Sequence, residues 1–145
     1  MRLVTFKSAD LSAYFADKEM FFKQGRPCAL IVKLKYKGTY YDFAVPLRSN
    51  INKSAPRNEY FPLPPRSTTR PPNRHGVHYA KMFPVDKSKA IKYRVEGNAY
   101  ATMIKNILDK NEKIIVKECQ DYLIEVENGN KPSFGTDIDL LIKYV

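Results

Sequence analysis

The stretch Cys28-Ala29-Leu30-Ile31-Val32-Lys33-Leu34-Lys35-Tyr36-Lys37-Gly38-Thr39-Tyr40-Tyr41-Asp42-Phe43-Ala44-Val45-Pro46 decides the fold class. Side chains alternate between the two faces of a strand, so Leu30, Val32, Leu34 and Tyr36 fall on one face and Lys33, Lys35 and Lys37 on the other. The Lys37-Gly38 pair interrupts the pattern, and glycine supplies the positive φ that a tight turn needs. The segment is therefore expected to be an antiparallel hairpin with one apolar and one basic face. The lysine face reads equally as a grip on a polyanion or as a solvated surface.

Before the hairpin, residues 2–7 read as a short strand. Ser8 is expected to cap a helix carrying Leu11, Tyr14 and Phe15 at i, i+3, i+4 spacing. Beyond it, Lys53 to Arg74 contains Pro56, Pro62, Pro64, Pro65, Pro71 and Pro72. Repeated proline removes backbone donors, so this stretch is expected to be a long, stiff loop and not a buried strand. Its arginines, Arg57, Arg66, Arg70 and Arg74, suit phosphate recognition through their planar forks. Val77, Tyr79, Lys81 and Phe83 alternate as a strand ended by Pro84.

Residues 97–127 carry two apolar stripes at helical spacing, Tyr100-Met103-Ile104-Ile107-Leu108 and Ile115-Cys119-Tyr122-Leu123-Val126, separated by the polar run Asp109-Lys110-Asn111. Thr136-Asp137-Ile138-Asp139 reads as a capping box for a last short helix through Leu141 and Ile142, although period-2 alternation fits there too. Strands and helices occur without regular βαβ alternation, which predicts a single α+β domain over residues 1–145, built on an antiparallel sheet with flanking helices and a helical C-terminal half.

The 145 residues carry 25 Lys plus Arg against 15 Asp plus Glu, a formal charge of +10. Such a surplus attracts polyanions, and no basic amphipathic helix or lipidation site points to a membrane. Ten Tyr and eight Phe add rings that stack on unpaired bases. RNA is the favoured partner. The opening Met1-Arg2-Leu3-Val4-Thr5-Phe6-Lys7 lacks the apolar core of a signal peptide, and the longest aliphatic run, Cys28 to Val32, is far short of a membrane span. Cys28 and Cys119 stand apart without metal-site spacing and are expected to be inert buried thiols. A reducing, cytoplasmic setting is therefore expected.

The sequence contains no phosphate loop, no HExxH and no GxSxG elbow. Asp137 and Asp139 read as helix-cap acids, not as a metal cluster, so neither metal nor other cofactor is expected. Metal-free chemistry on RNA remains open because the 2′-hydroxyl is a built-in nucleophile beside the phosphate it attacks. Two constellations could serve it. One is Arg48-Ser49-Asn50-Ile51-Asn52-Lys53 at the end of the hairpin strand, residue types that by themselves read first as an ordinary turn. The other is His75 with His78, titrating near neutrality, or else two ordinary surface or hydrogen-bonded rings.

The order of these pieces resembles the toxins of bacterial type III toxin-antitoxin systems, the ToxN and AbiQ group. The likeness spans nearly the whole chain, and its sharpest pieces are Pro46-Leu47 followed by Ser49 and Lys53, and Lys81-Met82-Phe83-Pro84-Val85. It implies an endoribonuclease on a strongly twisted antiparallel sheet similar to that of MazF and Kid. Such toxins cut single-stranded RNA without metal and leave a 2′,3′-cyclic phosphate. A small repeated pseudoknot RNA inhibits them, lying in the basic groove of a closed toxin-RNA assembly, and several members abort phage infection.

By that resemblance Ser49 matches the active-site serine and Lys53 its nearby lysine. The family has Thr before the serine and Lys two residues after it, whereas here Arg48 precedes and Lys53 follows four later. Either the loop bulges to bring Lys53 into place or Arg48 takes over part of the charge stabilisation. Arg26 lies near the basic residue that precedes the family's first hairpin strand, and Tyr14 is a candidate hydroxyl from the first helix. The family gives no precedent for His75 and His78. They stay as RNA contacts beside Lys33, Lys35, Arg57, Arg66, Arg70, Arg74 and Lys81. The competing readings are a non-catalytic RNA-binding module and a protein adaptor with incidental charge.

Overall fold

The expected hairpin forms the centre of the sheet. The computed structural model describes residues 1–20 and 29–145, and in it β1 (Arg2–Thr5) and α1 (Ser8–Leu11) precede β2 (Ala29–Tyr36) and β3 (Thr39–Ile51). β2 and β3 pair antiparallel from Ala29 opposite Pro46 to Tyr36 opposite Thr39, around Lys37 and Gly38, both at positive φ. Leu30, Val32, Leu34 and Tyr36 are buried while Lys33, Lys35 and Lys37 are exposed, as the alternation requires. Arg26 and Cys28 lie outside the described residues.

The remaining strands are β4 (Tyr60–Leu63), β5 (Arg74–His78), β6 (Phe83–Pro84) and β7 (Ile91–Lys92), and the described sheet runs β4-β5-β3-β2-β1-β7 with β6 also on β3. Every pairing is antiparallel, and the sheet is open. The 13-residue β3 is its spine, bonding β2 along its first part and β5 along its last.

Helices α2 (Ala99–Lys110) and α3 (Glu112–Glu127) cover one face, packing Ile104, Leu108, Ile115, Cys119 and Leu123 on Leu30, Val32, Phe43 and Val45. Asn111 separates them where the polar run predicted a break. The second face is covered by α1 and α4 (Ile138–Leu141), whose Leu11 and Leu141 join Val4, Ala44 and Phe83. The Cys119 thiol is buried, and that burial pushes its pKa up. None of the described helices is long and apolar enough to cross a membrane.

Several expectations need correction. The proline-rich stretch is not all loop: Tyr60–Leu63 is a strand that buries Tyr60 and Leu63. It stands at the edge of the sheet, where Pro62 removes no donor from a second partner. The strand expected through Phe83 stops at His78, because the chain turns there into a 3-10 helix over Tyr79, Ala80 and Lys81, closed by the Met82 N–H donating to the Tyr79 carbonyl at 3.1 Å. Pro84 does not end that strand; it pairs with Phe43 in β6. Ser8 is the first residue of α1 rather than its cap, and Phe15 stays exposed. At the C-terminus the helix prevails over alternation: Asp137 caps α4 by accepting from the Leu140 N–H at 3.1 Å. Asp139 instead binds Lys37 Nζ and accepts from the Tyr36 hydroxyl, both at 3.0 Å.

Candidate active site

Where β3 passes from β2 to β5, Arg48 sits opposite Gly76, and the register then shifts before Ile51 meets Arg74. A shift of this kind bends the strand and re-aims its side chains. Beyond it, Asn52 builds a tight turn: its carbonyl accepts from Ala55 N at 3.0 Å, and its Oδ1 accepts from Ser54 N at 2.9 Å and Ser54 Oγ at 2.8 Å. Asn50 ties this region to the proline-rich strap, donating to the Thr68 carbonyl at 3.0 Å and accepting from Arg70 N at 2.8 Å.

An open cleft of about 470 Å³ lies here, lined by Arg48, Asn50, Asn52 and Ser54 together with His78, Lys81, Glu19 and Phe134. Burial of Arg48 lowers its guanidinium pKa without discharging it at neutral pH. Lys81 is only 4% exposed. Its ammonium donates to Glu19 Oε1 at 2.8 Å, the Glu19 carbonyl at 3.2 Å and the Phe134 carbonyl at 2.7 Å. Lys81→Met is expected to cost about 2 kcal/mol, read by urea unfolding, because two carbonyls lose their donor while the half-buried Glu19 carboxylate regains some water. An unchanged midpoint would show that the ammonium holds nothing together.

His78 has a different environment. It is 4% exposed, and neither Nδ1 nor Nε2 has a hydrogen-bond partner among the described residues. An unsatisfied buried polar group costs about 1–3 kcal/mol, so such a ring at a cleft wall calls for a functional account. Burial, then Arg48, then Lys81 lower its pKa to about 3, which leaves a neutral imidazole between two cations.

The other sequence-predicted residues divide by position. Ser49 is half-buried between the lining residues Arg48 and Asn50, and Lys53 is exposed between Asn52 and Ser54; neither lines the cleft wall itself. Lys33, Lys35, Arg70 and Arg74 are exposed. Arg66 is half-buried beside His75 and Tyr100 in a smaller recess.

Of the other expected contacts, His75 and Tyr14 are turned inward, whereas Arg57 stays exposed and is held in an ion pair. His75, 3% exposed, binds the Pro64 carbonyl through Nδ1 at 2.8 Å and meets the Tyr100 hydroxyl at 3.0 Å, so it braces the strap. Tyr14 is buried against Phe83 and Tyr144, and that burial raises its hydroxyl pKa to about 12. Arg57 pairs with Glu118 at 2.9 Å over a separate cleft that also holds Asp121 and Glu125. Glu19 and Phe134 were missed because neither belongs to a motif. The nearest signal was Lys81, whose burial requires partners.

The open antiparallel sheet with these helices is the fold of the ToxN and AbiQ toxins of type III toxin-antitoxin systems. AbiQ, a lactococcal anti-phage endoribonuclease of such a system, superposes with a TM-score of 0.71 at 15% identity, over 98% of this chain and 93% of its own. A protein of a bacterial type III system whose toxin is selectively inhibited by a non-coding RNA pseudoknot gives 0.72 at 15%, over 98% and 94%. A third, from a bacterial antiviral system regulated by a processed non-coding RNA, gives 0.71 at 15%, over 99% and 97%. No protein-family model and no curated protein sequence matches the chain. Identity this low establishes the fold and leaves residue roles to chemistry.

Proposed function

We propose that this chain is a metal-independent endoribonuclease toxin of a type III toxin-antitoxin system. The observation that carries this reading is a whole-length fold likeness to AbiQ in a chain of charge +10 whose cleft holds Arg48, His78 and Lys81. A strand of RNA enters the cleft, and the 2′-hydroxyl attacks the adjacent phosphorus and expels the 5′-oxygen, leaving a 2′,3′-cyclic phosphate.

Arg48 and Lys53 stabilise the charge that develops on the phosphoryl oxygens, and Ser49 orients the phosphate. Arg26 is a further phosphate clamp. Lys33, Lys35, Arg66, Arg70 and Arg74 track the RNA backbone. A small pseudoknot RNA is the inhibitor, held with the toxin in a closed assembly in the cytoplasm, and cellular or phage RNA is the substrate.

The test is incubation of the purified chain with mixed-sequence RNA in excess EDTA, beside Lys53→Ala. Discrete fragments ending in 2′,3′-cyclic phosphate, lost with the variant, are the expected result. Lys53 is exposed on a turn, so its removal changes stability by less than about 0.5 kcal/mol. RNA that stays bound and intact would identify a binding module instead. A fully active Lys53→Ala would remove that residue from the site.

A further inference from the structure

We propose that His78 is the base of the cleavage reaction, accepting the proton of the 2′-hydroxyl as that oxygen attacks phosphorus. The inference rests on the ribonuclease reading above and names the group that reading lacks. Among the described side chains lining the cleft, few can take a proton. Arg48 is a guanidinium and stays protonated. Lys81 spends its donors on Glu19 and Phe134, and the Glu19 carboxylate is engaged with Lys81 in turn. Asn50 and Asn52 are amides, and the Ser54 hydroxyl donates to Asn52. His78 alone among these offers an uncommitted ring lone pair.

The charged groups around the ring fix its state. Arg48 reaches it from β3 and Lys81 from the 3-10 turn, Glu19 stands across Lys81, and Tyr60 of β4 is paired opposite. Burial, and after it the two cations, keep the free imidazole neutral, which is the accepting form. A phosphodiester bound between those cations offsets their field and raises the basicity of the ring when the proton must move. In the free protein the ring nitrogens are closed to solvent. The Phe134 ring, 39% exposed and 6.3 Å from His78, is the cover that an incoming ribose displaces.

In the step itself the 2′-O–P bond forms and the P–5′-O bond breaks. The 2′-proton passes to His78, the 5′-oxygen takes a proton from solvent, and the imidazolium returns its proton when product leaves. The net reaction is a transesterification that consumes no proton.

The experiment is a pair of pH-rate profiles in EDTA, with His78→Gln alongside. In wild type, kcat/KM reports the free enzyme, so its acid limb should fall near pH 3, far below that of an ordinary histidine. Activity therefore persists above that limb and is lost as pH falls through it. The limb in kcat, which reports the complex, should lie higher because the bound phosphate raises the pKa. His78→Gln should lower kcat about 10²–10⁴-fold, with affinity for a 2′-O-methyl RNA held within about twofold.

Imidazoles added to His78→Ala should restore rate in proportion to their basicity, a response that a merely structural ring would not give. Coincident limbs in kcat and kcat/KM overturn the assignment, and this arm needs no variant to fold. Equal activity of wild type and His78→Gln overturns it while leaving the ribonuclease reading intact. A wild type that cleaves nothing overturns both.

Discussion

Arg48→Ala is expected to slow RNA cleavage about 10²–10³-fold, the loss that follows removal of one preorganised group facing developing charge. Arg48 is half-buried at the point where β3 leaves the regular ladder, so its guanidinium works where water screens poorly. A fork of donors also matches two phosphoryl oxygens at once, so Arg48→Lys should recover the charge and only part of the rate. The deficit belongs in kcat, because a group serving the transition state more than the ground state leaves KM little changed. Thermal unfolding of the same preparations separates lost chemistry from lost fold. Cleavage by Arg48→Ala within about threefold of wild type would place charge stabilisation elsewhere.

What could be read from the chain was whatever depends on local periodicity. Leu30, Val32, Leu34 and Tyr36 announced a buried face, and Asp109-Lys110-Asn111 announced the break between α2 and α3, because each signal lies within one element. β4 was not legible: proline counts against a strand only when both edges are paired, and edge position is a property of the sheet. Lys81 was not legible either. Its partners at Glu19 and Phe134 are 62 and 53 residues away in the chain, so a buried cation looked like a surface one.

In the site, sequence order pointed to the segment from Arg48 to Lys53, which borders the cleft, and blurred which of its members face it. Arg48 lines it, whereas Ser49 and Lys53 flank lining residues across a register shift that alternation does not encode. His78 was visible as a residue type. Its lack of hydrogen-bond partners among the described residues, and the burial and two cations that hold it neutral, arise only when β3, β5 and the following turn converge.

Gly76→Ala should test that convergence, because the glycine lies opposite Arg48 on one side and Pro62 on the other. A Cβ at residue 76 would stand 2.4 Å from the Phe61 carbonyl oxygen, 3.3 Å from its carbon and 3.2 Å from Tyr60 Cδ2. The tyrosine ring can turn aside, but the carbonyl is backbone, and moving it means pulling β4 away from β5. That strain is expected to cost about 3 kcal/mol, the upper end of the usual overpacking range, and to lower Tm by about 10 °C. Gly97→Ala is the control: it has φ +81 and open space around it, so alanine there meets only the backbone penalty of about 1 kcal/mol. Because β4 and β5 carry Tyr60 and His78, the Gly76 variant should lose cleavage beyond its loss of folded protein at 25 °C, whereas the Gly97 variant should cleave normally. Equal Tm losses for the two would mean that β4 yields freely, and the wall behind His78 would then owe its position to the 3-10 turn at Lys81 instead of the strand pair.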